Sequence, residues 1–508
     1  MASIGKKARI WIGVSAAFLV LAAGLLTAWL LGRRQVILPY TEDEAFVRGY
    51  TYCNQQNVGV GDPYLFVDNG RFYLTGTSDG VSYSLRVSDD LKTWKSLGRI
   101  FSKDSPGAWG VKDYWQPQIL KGSDGRYYLY YSASPQNGRP RIGVAVCDTV
   151  DGEYRDVHGG PLFDYGYAVI DAHMYADDDG QLYLYYSRGV PEDYVSGKRD
   201  SRIFVVKMQS MSEVADGAEH IQLTLPEEPW ETKGGGTQTW NEGPDILKHN
   251  GVYYLFFSAN NYGTEHYCIG YATSDSPTGP FTKAKDNPVL ASPQPWITGT
   301  GNNSFFHSLD GKEQLIAYHV HRNYQKKGGD RVLYIDRYGW REDGSFYING
   351  PTRTPQPQVS GLSALERVGT EGFVIEASSF APEHVPQLAY DGRFGLHSRL
   401  SQDDEWYALL DDPEPYWQIR FDTPQETDAI FLYSSVLSSR RPKSYKVIVN
   451  GKTVYTGVPS QAQPGEATIL SIEKTKIHSL RIEMDEPSPG ASLGFSDVQL
   501  FRIGTESE

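Results

Sequence analysis

The sequence predicts an all-β protein: a five-bladed β-propeller, then a β-sandwich of jelly-roll type, with one N-terminal transmembrane helix. Three observations carry that prediction. A strand-and-turn unit recurs five times between Tyr40 and Pro351. A Pro- and Thr-rich stretch, Asn349 to Gln358, then ends the pattern. An uncharged apolar run stands near the start of the chain.

The apolar run comes first. Lys6, Lys7 and Arg9 precede Ile10 to Leu31, 22 residues without a charge, and Arg33 and Arg34 follow. As a helix this run spans ~33 Å at ~1.5 Å per residue, enough to cross a bilayer. A cleaved signal peptide is usually shorter in its apolar part and ends in an Ala-x-Ala-like site, which Ala22-Ala23-Gly24 matches poorly. Residues 1–39 are therefore expected to be a cytoplasmic stub and signal anchor, with the helix at about 10–31. That makes the protein single-pass in the cell membrane with its bulk outside the cytoplasm. Secretion after cleavage is the alternative.

Residues 40–358 carry the repeat. "DNGRFYLTGTS", "SDGRYYLYYSAS", "DDGQLYLYYSRG", "HNGVYYLFFSAN" and "LDGKEQLIAYHVH" each read as a polar residue, a glycine and a strand. Asn or Asp before Gly is the strongest short hairpin signal. The glycines are Gly70, Gly125, Gly180, Gly251 and Gly311, at steps of 55, 55, 71 and 60. Periods this long, with several short strands in each, suit a propeller with one four-stranded blade per repeat. "LRVSDDLKTW", "IGVAVCDTVDGEY" and "IGYATSDSPTGPF" supply outer strands, and no helical periodicity appears between Tyr40 and Pro351.

Composition bounds the function. A net charge of -14, from 48 basic and 62 acidic residues with no long basic run, argues against nucleic acid as a partner. The 35 tyrosines and 11 tryptophans suit a turn-rich β protein, and also suit sugars, whose C–H faces stack on rings. Cys53, Cys147 and Cys268 form no Cys-x-x-Cys pair, so zinc is not expected.

An acid in a turn before a strand is ordinary. Here acids recur before the turn glycines: Asp62 lies 8 residues before Gly70, Asp171 lies 9 before Gly180, and Glu242 lies 9 before Gly251. Gln116 and Asn302 hold the equivalent places in the other two copies. The start of a blade's innermost strand lines the mouth of the central channel, so three blades aim a carboxylate at one point. Sugar acetals are cleaved by two carboxyl groups flanking the bond, and a third carboxylate nearby keeps an acid protonated by like-charge repulsion. The same trio could instead hold Ca2+, which takes oxygen ligands.

"GDPYLFVDNGRFYLTGTSDG", "YWQPQILKGSDGRYYLYYSAS", "VIDAHMYADDDGQLYLYYS", "NEGPDILKHNGVYYLFFSANNY", "GTGNNSFFHSLDGKEQLIAYHVH" and "DRVLYIDRYGW" together resemble glycoside hydrolase family 43, in order and spacing, over roughly 300 residues to about Pro351. The resemblance implies an inverting glycosidase of α-L-arabinofuranosidase or β-xylosidase type. Asp62 would be the general base, Glu242 the general acid, and Asp171 the neighbour that tunes and orients the acid. Trp115, Gln116, Arg331 and Asn302 would contact substrate. No cofactor is required. Many members carry His where this chain has Asn302, and there it helps hold a central ion. A structural Ca2+ in the channel is thus left open rather than implied. His319 and His321 alternate faces on one strand and read as core histidines, one of which could reach the channel. The motifs of fructan- and sucrose-cleaving relatives, Asn-Asp-Pro-Asn, Arg-Asp-Pro and Glu-Cys, are absent. A non-catalytic surface glycan receptor, and a galactan- or arabinan-directed member of the same family, are the alternatives.

Residues 359–508 are expected to be a linker and a second β domain. "YWQIRFDTPQETDAIFLYSS", "SYKVIVNGKTVYTG" and "IHSLRIEMDEPSPGASLGFSDVQLF" alternate apolar and polar residues between turn signals. With "LAYDGRFGLHSRL" this part resembles discoidin-like, galactose-binding-like domains. The partners expected are an oligo- or polysaccharide substrate and, through the N-terminal helix, a membrane.

Overall fold

The computed structural model describes residues 44–504 apart from 55–57, 196–197, 234–237, 293–295, 327, 395–403, 459, 461–464 and 486–491. The segment read as a membrane anchor, residues 10–31, lies outside the described residues. Among those described, no helix is long and apolar enough to cross a membrane.

The described chain is built almost wholly of strands. The one α-helix among the described residues, Glu44–Tyr50, was not foreseen. It is too short to show a helical period and is stabilised by packing, with Phe46 against Phe431.

Each polar-Gly turn closes a hairpin. Three four-stranded antiparallel sheets begin at Gly61–Asp68, Lys112–Lys121 and Gly301–His307. A nine-stranded sheet contains the other two repeats, beginning at Ala168–Ala176 and Gln238–His249. They are joined by a short parallel pairing of Arg199–Ser201 with Gln238–Trp240. The five first strands touch in sequence around a centre, and the fifth returns to the first. We call these units blades I to V.

Why the second strands are nearly continuous in apolar residues follows from this arrangement. In blade II, Leu129 and Tyr131 pack against blade I, while Tyr128 and Tyr130 pack against blade III. A strand alternates its side chains between two faces, and here both faces are covered. Five apolar clusters result, one for each adjacent pair of blades, including blade V against blade I. Thr51–Tyr52 pairs with Gln356–Pro357, and the Asn54 amide exchanges hydrogen bonds with the Ile335 backbone at 2.8 Å, so the two ends of the propeller meet on blade V.

The C-terminal strands form one connected eight-stranded antiparallel sheet rather than two separate ones. Tyr416–Ser434 and Ala467–Asp485, 19 residues each, slip register between Arg420 and Gln425 and between Thr427 and Ala429. Trp417 and Ile419 before the break, and Ile430 and Leu432 after it, face one core with Trp406 and Phe495. The sheet therefore folds over on itself. It is docked on blade V by the Arg341–Asp404 ion pair (2.5 Å) and by the Asn349 side chain, which donates to Gly392 O (2.7 Å).

Candidate active site

At the start of every inner strand the ladder gains one residue. The slips fall between Gly61 and Tyr64, Trp115 and Gln118, Ile170 and His173, Glu242 and Asp245, and Gly301 and Ser304. Such β-bulges re-aim side chains and cluster at functional sites. The first bulged residue is left-handed in each: Asp62 (φ 47°), Gln116 (38°), Asp171 (61°), Gly243 (60°) and Asn302 (52°). Four of these five are not glycine, a strain of ~1–3 kcal/mol apiece that persists only where the surroundings impose it.

The surroundings are five side chains from neighbouring second strands. The bulged N–H of Asp62 donates to His319 Nδ1 (3.1 Å) and that of Gln116 to Thr77 Oγ1 (2.9 Å). Those of Asp171, Gly243 and Asn302 donate to Ser132 (3.0 Å), Ser187 (3.1 Å) and Ser258 (2.7 Å). In each case the acceptor belongs to the preceding blade. This ring corrects the alignment by offset: the blade IV counterpart of Asp62 and Asp171 is Gly243. Glu242 stands one residue earlier, because blades I and IV have one residue fewer between bulge and turn. Its carboxyl nonetheless belongs to the same cluster.

Asp62 Oδ1 accepts from Arg331 Nη1 (2.6 Å) and from Asn302 Nδ2 (3.1 Å), with His319 Nδ1 3.6 Å away. Asp171 Oδ2 accepts from Ser187 Oγ (3.0 Å) and from the N–H of Gly243 (3.1 Å). Burial, and then the charge of Asp62, push Asp171 up to about 7. Glu242 Oε1 accepts from Tyr267 Oη (2.8 Å). Burial, and then the charge of Asp171, hold Glu242 well above the usual carboxyl range. Two glycines make room for this network. A Cβ on Gly61 would come within 2.1 Å of the Arg331 guanidinium, and one on Gly301 within 2.1 Å of the Tyr267 ring.

A family profile, glycosyl hydrolases family 43, matches residues 57–346. The chain belongs to that family. It is 30% identical over 303 residues to the β-D-galactofuranosidase xynD of Aspergillus niger, covering 56% of this chain and 81% of that one. It is 28% identical over 345 residues to extracellular endo-α-(1→5)-L-arabinanase 2 of Bacillus subtilis, covering 60% and 67%. A crystal structure of a thermostable family-43 glycoside hydrolase superposes with a TM-score of 0.58 at 35% identity, over 61% of this chain and 99% of that chain. The protein is a glycosidase of family 43.

Two exposed aromatics adjoin this network in the family 43 enzyme: Trp115 precedes Gln116 in the chain, and Tyr262 meets Arg331. Trp115 is 37% exposed and Tyr262 39%. Tyr262 stacks on Trp240 (6.3 Å) and lies under the Arg331 guanidinium (5.2 Å). Asn302 Nδ2 also donates to Gln116 Oε1 (2.6 Å), so the two amides expected to meet substrate are tied to each other and to Asp62. Six of the seven residues singled out in the sequence therefore form one connected cluster, and the seventh, Trp115, is the chain neighbour of Gln116.

Sequence reasoning missed Tyr267, Tyr262 and the acceptors of the bulge N–H groups. His319 is fully buried and reaches Asp62, with its Nε2 unpartnered among the described residues. Burial keeps its imidazole neutral. The serines had left a signal: Thr77, Ser132, Ser187 and Ser258 each lie seven residues after their turn glycine.

Beneath the carboxyls a chamber of about 10 Å3 is lined by Gln116, Gln118, His173, Asn302 and Asn303 among others. It has room for about one water. Burial holds His173 neutral, down to about 3, with its Nε2 3.3 Å from Asp245. Among the described residues no three His, Cys, Asp or Glu side chains group as a metal site. No step below passes through a cation.

Proposed function

We propose that the protein is an inverting glycosidase of arabinose- or xylose-containing glycans, with α-L-arabinofuranosides as the first candidate substrates. Asp62, paired with Arg331, takes a proton from water as the water oxygen attacks the anomeric carbon. Glu242 gives its proton to the leaving oxygen. Inversion needs the two carboxyls ~6.5–9.5 Å apart with a water between base and sugar. Asp171 is the neighbour that keeps the acid protonated. Of this coupled pair, Asp171 has two donors, Ser187 and the Gly243 N–H, and Glu242 one, Tyr267. Hydrogen bonds to the charged form favour it, so the charge rests on Asp171 and the proton on Glu242.

The observation that carries this reading is that division of partners among three carboxyls on three blades. The names of the relatives support the substrate class. A pentose linked 1→5 must close its ring through O4, so an arabinanase substrate of that linkage is a furanoside, as is a galactofuranoside. The test is a panel of 4-nitrophenyl α-L-arabinofuranoside, β-D-xyloside and β-D-galactofuranoside, with arabinan and xylan as polymers. Turnover of an arabinofuranoside supports the reading. Silence across the panel favours a glycan receptor.

The location proposed is extracytoplasmic, supported by a relative named as extracellular and by the 22 uncharged residues before Gly32. Protease treatment of intact cells should then release the catalytic domain. Protection until lysis would oppose it.

A further inference from the structure

We propose that Ser187 is a positioning residue for catalysis, the one member of the bulge-holding ring that couples the acid to its charged neighbour. The inference rests on the reading that Asp62, Asp171 and Glu242 carry the chemistry, and assigns a role to a residue outside that trio.

The ring as a whole explains how strained bulges are maintained. A left-handed Asp, Gln or Asn turns its N–H away from its own ladder, and a buried N–H without a partner costs ~1–3 kcal/mol. Thr77, Ser132, Ser187, Ser258 and His319 each remove that cost one blade ahead. Among them Ser187 is bonded twice over. Its hydroxyl accepts from the Gly243 N–H at 3.1 Å and donates to Asp171 Oδ2 at 3.0 Å, and that same N–H lies 3.1 Å from Asp171 Oδ2. Ser187 is fully buried, so no water substitutes for it. Three groups thus close on one another: the Asp171 carboxylate, the Ser187 hydroxyl and the peptide that follows Glu242. The triangle fixes where the charge of Asp171 sits relative to the Glu242 carboxyl.

Other groups act on the same pair. Asp62 and Arg331 act on both carboxyls, Tyr267 on Glu242, and the buried phenol of Tyr83 lies near Asp171. None of these is changed by removing the serine hydroxyl. Without it the Asp171 anion loses one of two donors, so the proton shared by the pair drifts from Glu242 toward Asp171. A proton on Asp171 cannot reach the leaving oxygen. The doubly ionised pair loses that bond in full and the singly ionised pair only in part, so both apparent proton affinities of the pair rise.

The experiment compares wild type, Ser187→Ala, Ser187→Cys and Thr77→Val on the 4-nitrophenyl glycoside the enzyme turns over, measuring kcat, KM and the pH profile. Thr77 serves the same structural purpose on the Gln116 bulge but touches no carboxyl. Ser187→Ala should lose about ten- to a hundredfold in kcat, the worth of one hydrogen bond to a charged group, with KM little changed. Both limbs of its pH profile should move to higher pH. Ser187→Cys, isosteric but a weaker donor, should move them less in the same direction, and remains informative if the alanine variant does not fold. Thr77→Val should move neither limb. A Ser187 profile with unmoved limbs, or one shifted no more than that of Thr77→Val, overturns the proposal while leaving the functional reading intact. A wild type with no glycosidase activity overturns both.

Discussion

Replacing Tyr267 with Phe removes one hydroxyl from a fully buried ring and leaves the rest of the site in place. That hydroxyl donates to Glu242 Oε1 at 2.8 Å. A hydrogen bond to a carboxylate is worth ~1.5–3 kcal/mol and one to a neutral carboxyl ~0.5–1.5 kcal/mol, a difference of about 1.25 kcal/mol between the middles of the two ranges. The bond therefore favours the ionised form of Glu242, and its loss raises the proton affinity of the acid by about one pH unit. The alkaline limb of the kcat/KM profile, which reports loss of the acid's proton, should move up by about that much in Tyr267→Phe. The acid limb should stay, since the lost bond is made to Glu242 alone. The assay is initial rate on an aryl glycoside from pH 4 to 10, with a thermal melt of each variant to confirm folding. An unmoved alkaline limb, or one moved to lower pH, would refute the assignment of Glu242 as an acid held by Tyr267.

Glu242→Ala should lose most activity on alkyl glycosides and polysaccharides but retain more on 4-nitrophenyl glycosides, whose leaving group departs without a proton; equal losses on both would oppose the acid role. The melting temperature should fall as pH rises from about 6.5 to 8. Burial pushes Asp171, Asp336 and Glu405 up to about 7 and Asp497 to about 8, so the folded chain keeps protons that the unfolded chain has lost. Each such group costs ~1.4 kcal/mol per pH unit from the ordinary carboxyl range up to its own folded value, so Asp171, Asp336 and Glu405 act up to about pH 7 and Asp497 up to about 8; a melting temperature rising with pH there would contradict it. The opposing His173, neutral when folded, stops contributing above about pH 6.5. Trp417→Ala, which empties the C-terminal core and breaks a 2.8 Å bond to Pro386 O, should cost ~3–5 kcal/mol in denaturant unfolding while leaving kcat unchanged.

The propeller was legible because its local signals and its burial agree. The turn glycines Gly70, Gly125, Gly180, Gly251 and Gly311 all adopt positive φ, and the strands after them carry apolar residues on both faces because both are covered. Asp62, Asp171 and Glu242 were legible because a repeat makes an acid at a recurring place conspicuous. Counting from the turns still misplaced Glu242 by one residue, since the hairpins of blades I and IV close across shorter loops than those of the other three. Tyr267 and Ser187 were not assigned because their partners are carboxyls or peptides on other strands, brought near only by closure of the ring. The parallel link between blades III and IV, and the folding of the C-terminal strands into one sheet, depend on strand bends with no compositional signal.

The central claim is that Asp62 activates a water which attacks opposite a leaving group protonated by Glu242. The most direct measurement is proton NMR of the first sugar released from 4-nitrophenyl α-L-arabinofuranoside, before mutarotation, by wild type and by Asp62→Asn. Wild type should release the β anomer, inverted from the substrate. Asp62→Asn should bind substrate yet turn it over ~10^2–10^4-fold more slowly, since an amide cannot take the proton from water. Release of the α anomer, or wild-type turnover by Asp62→Asn, would contradict the account.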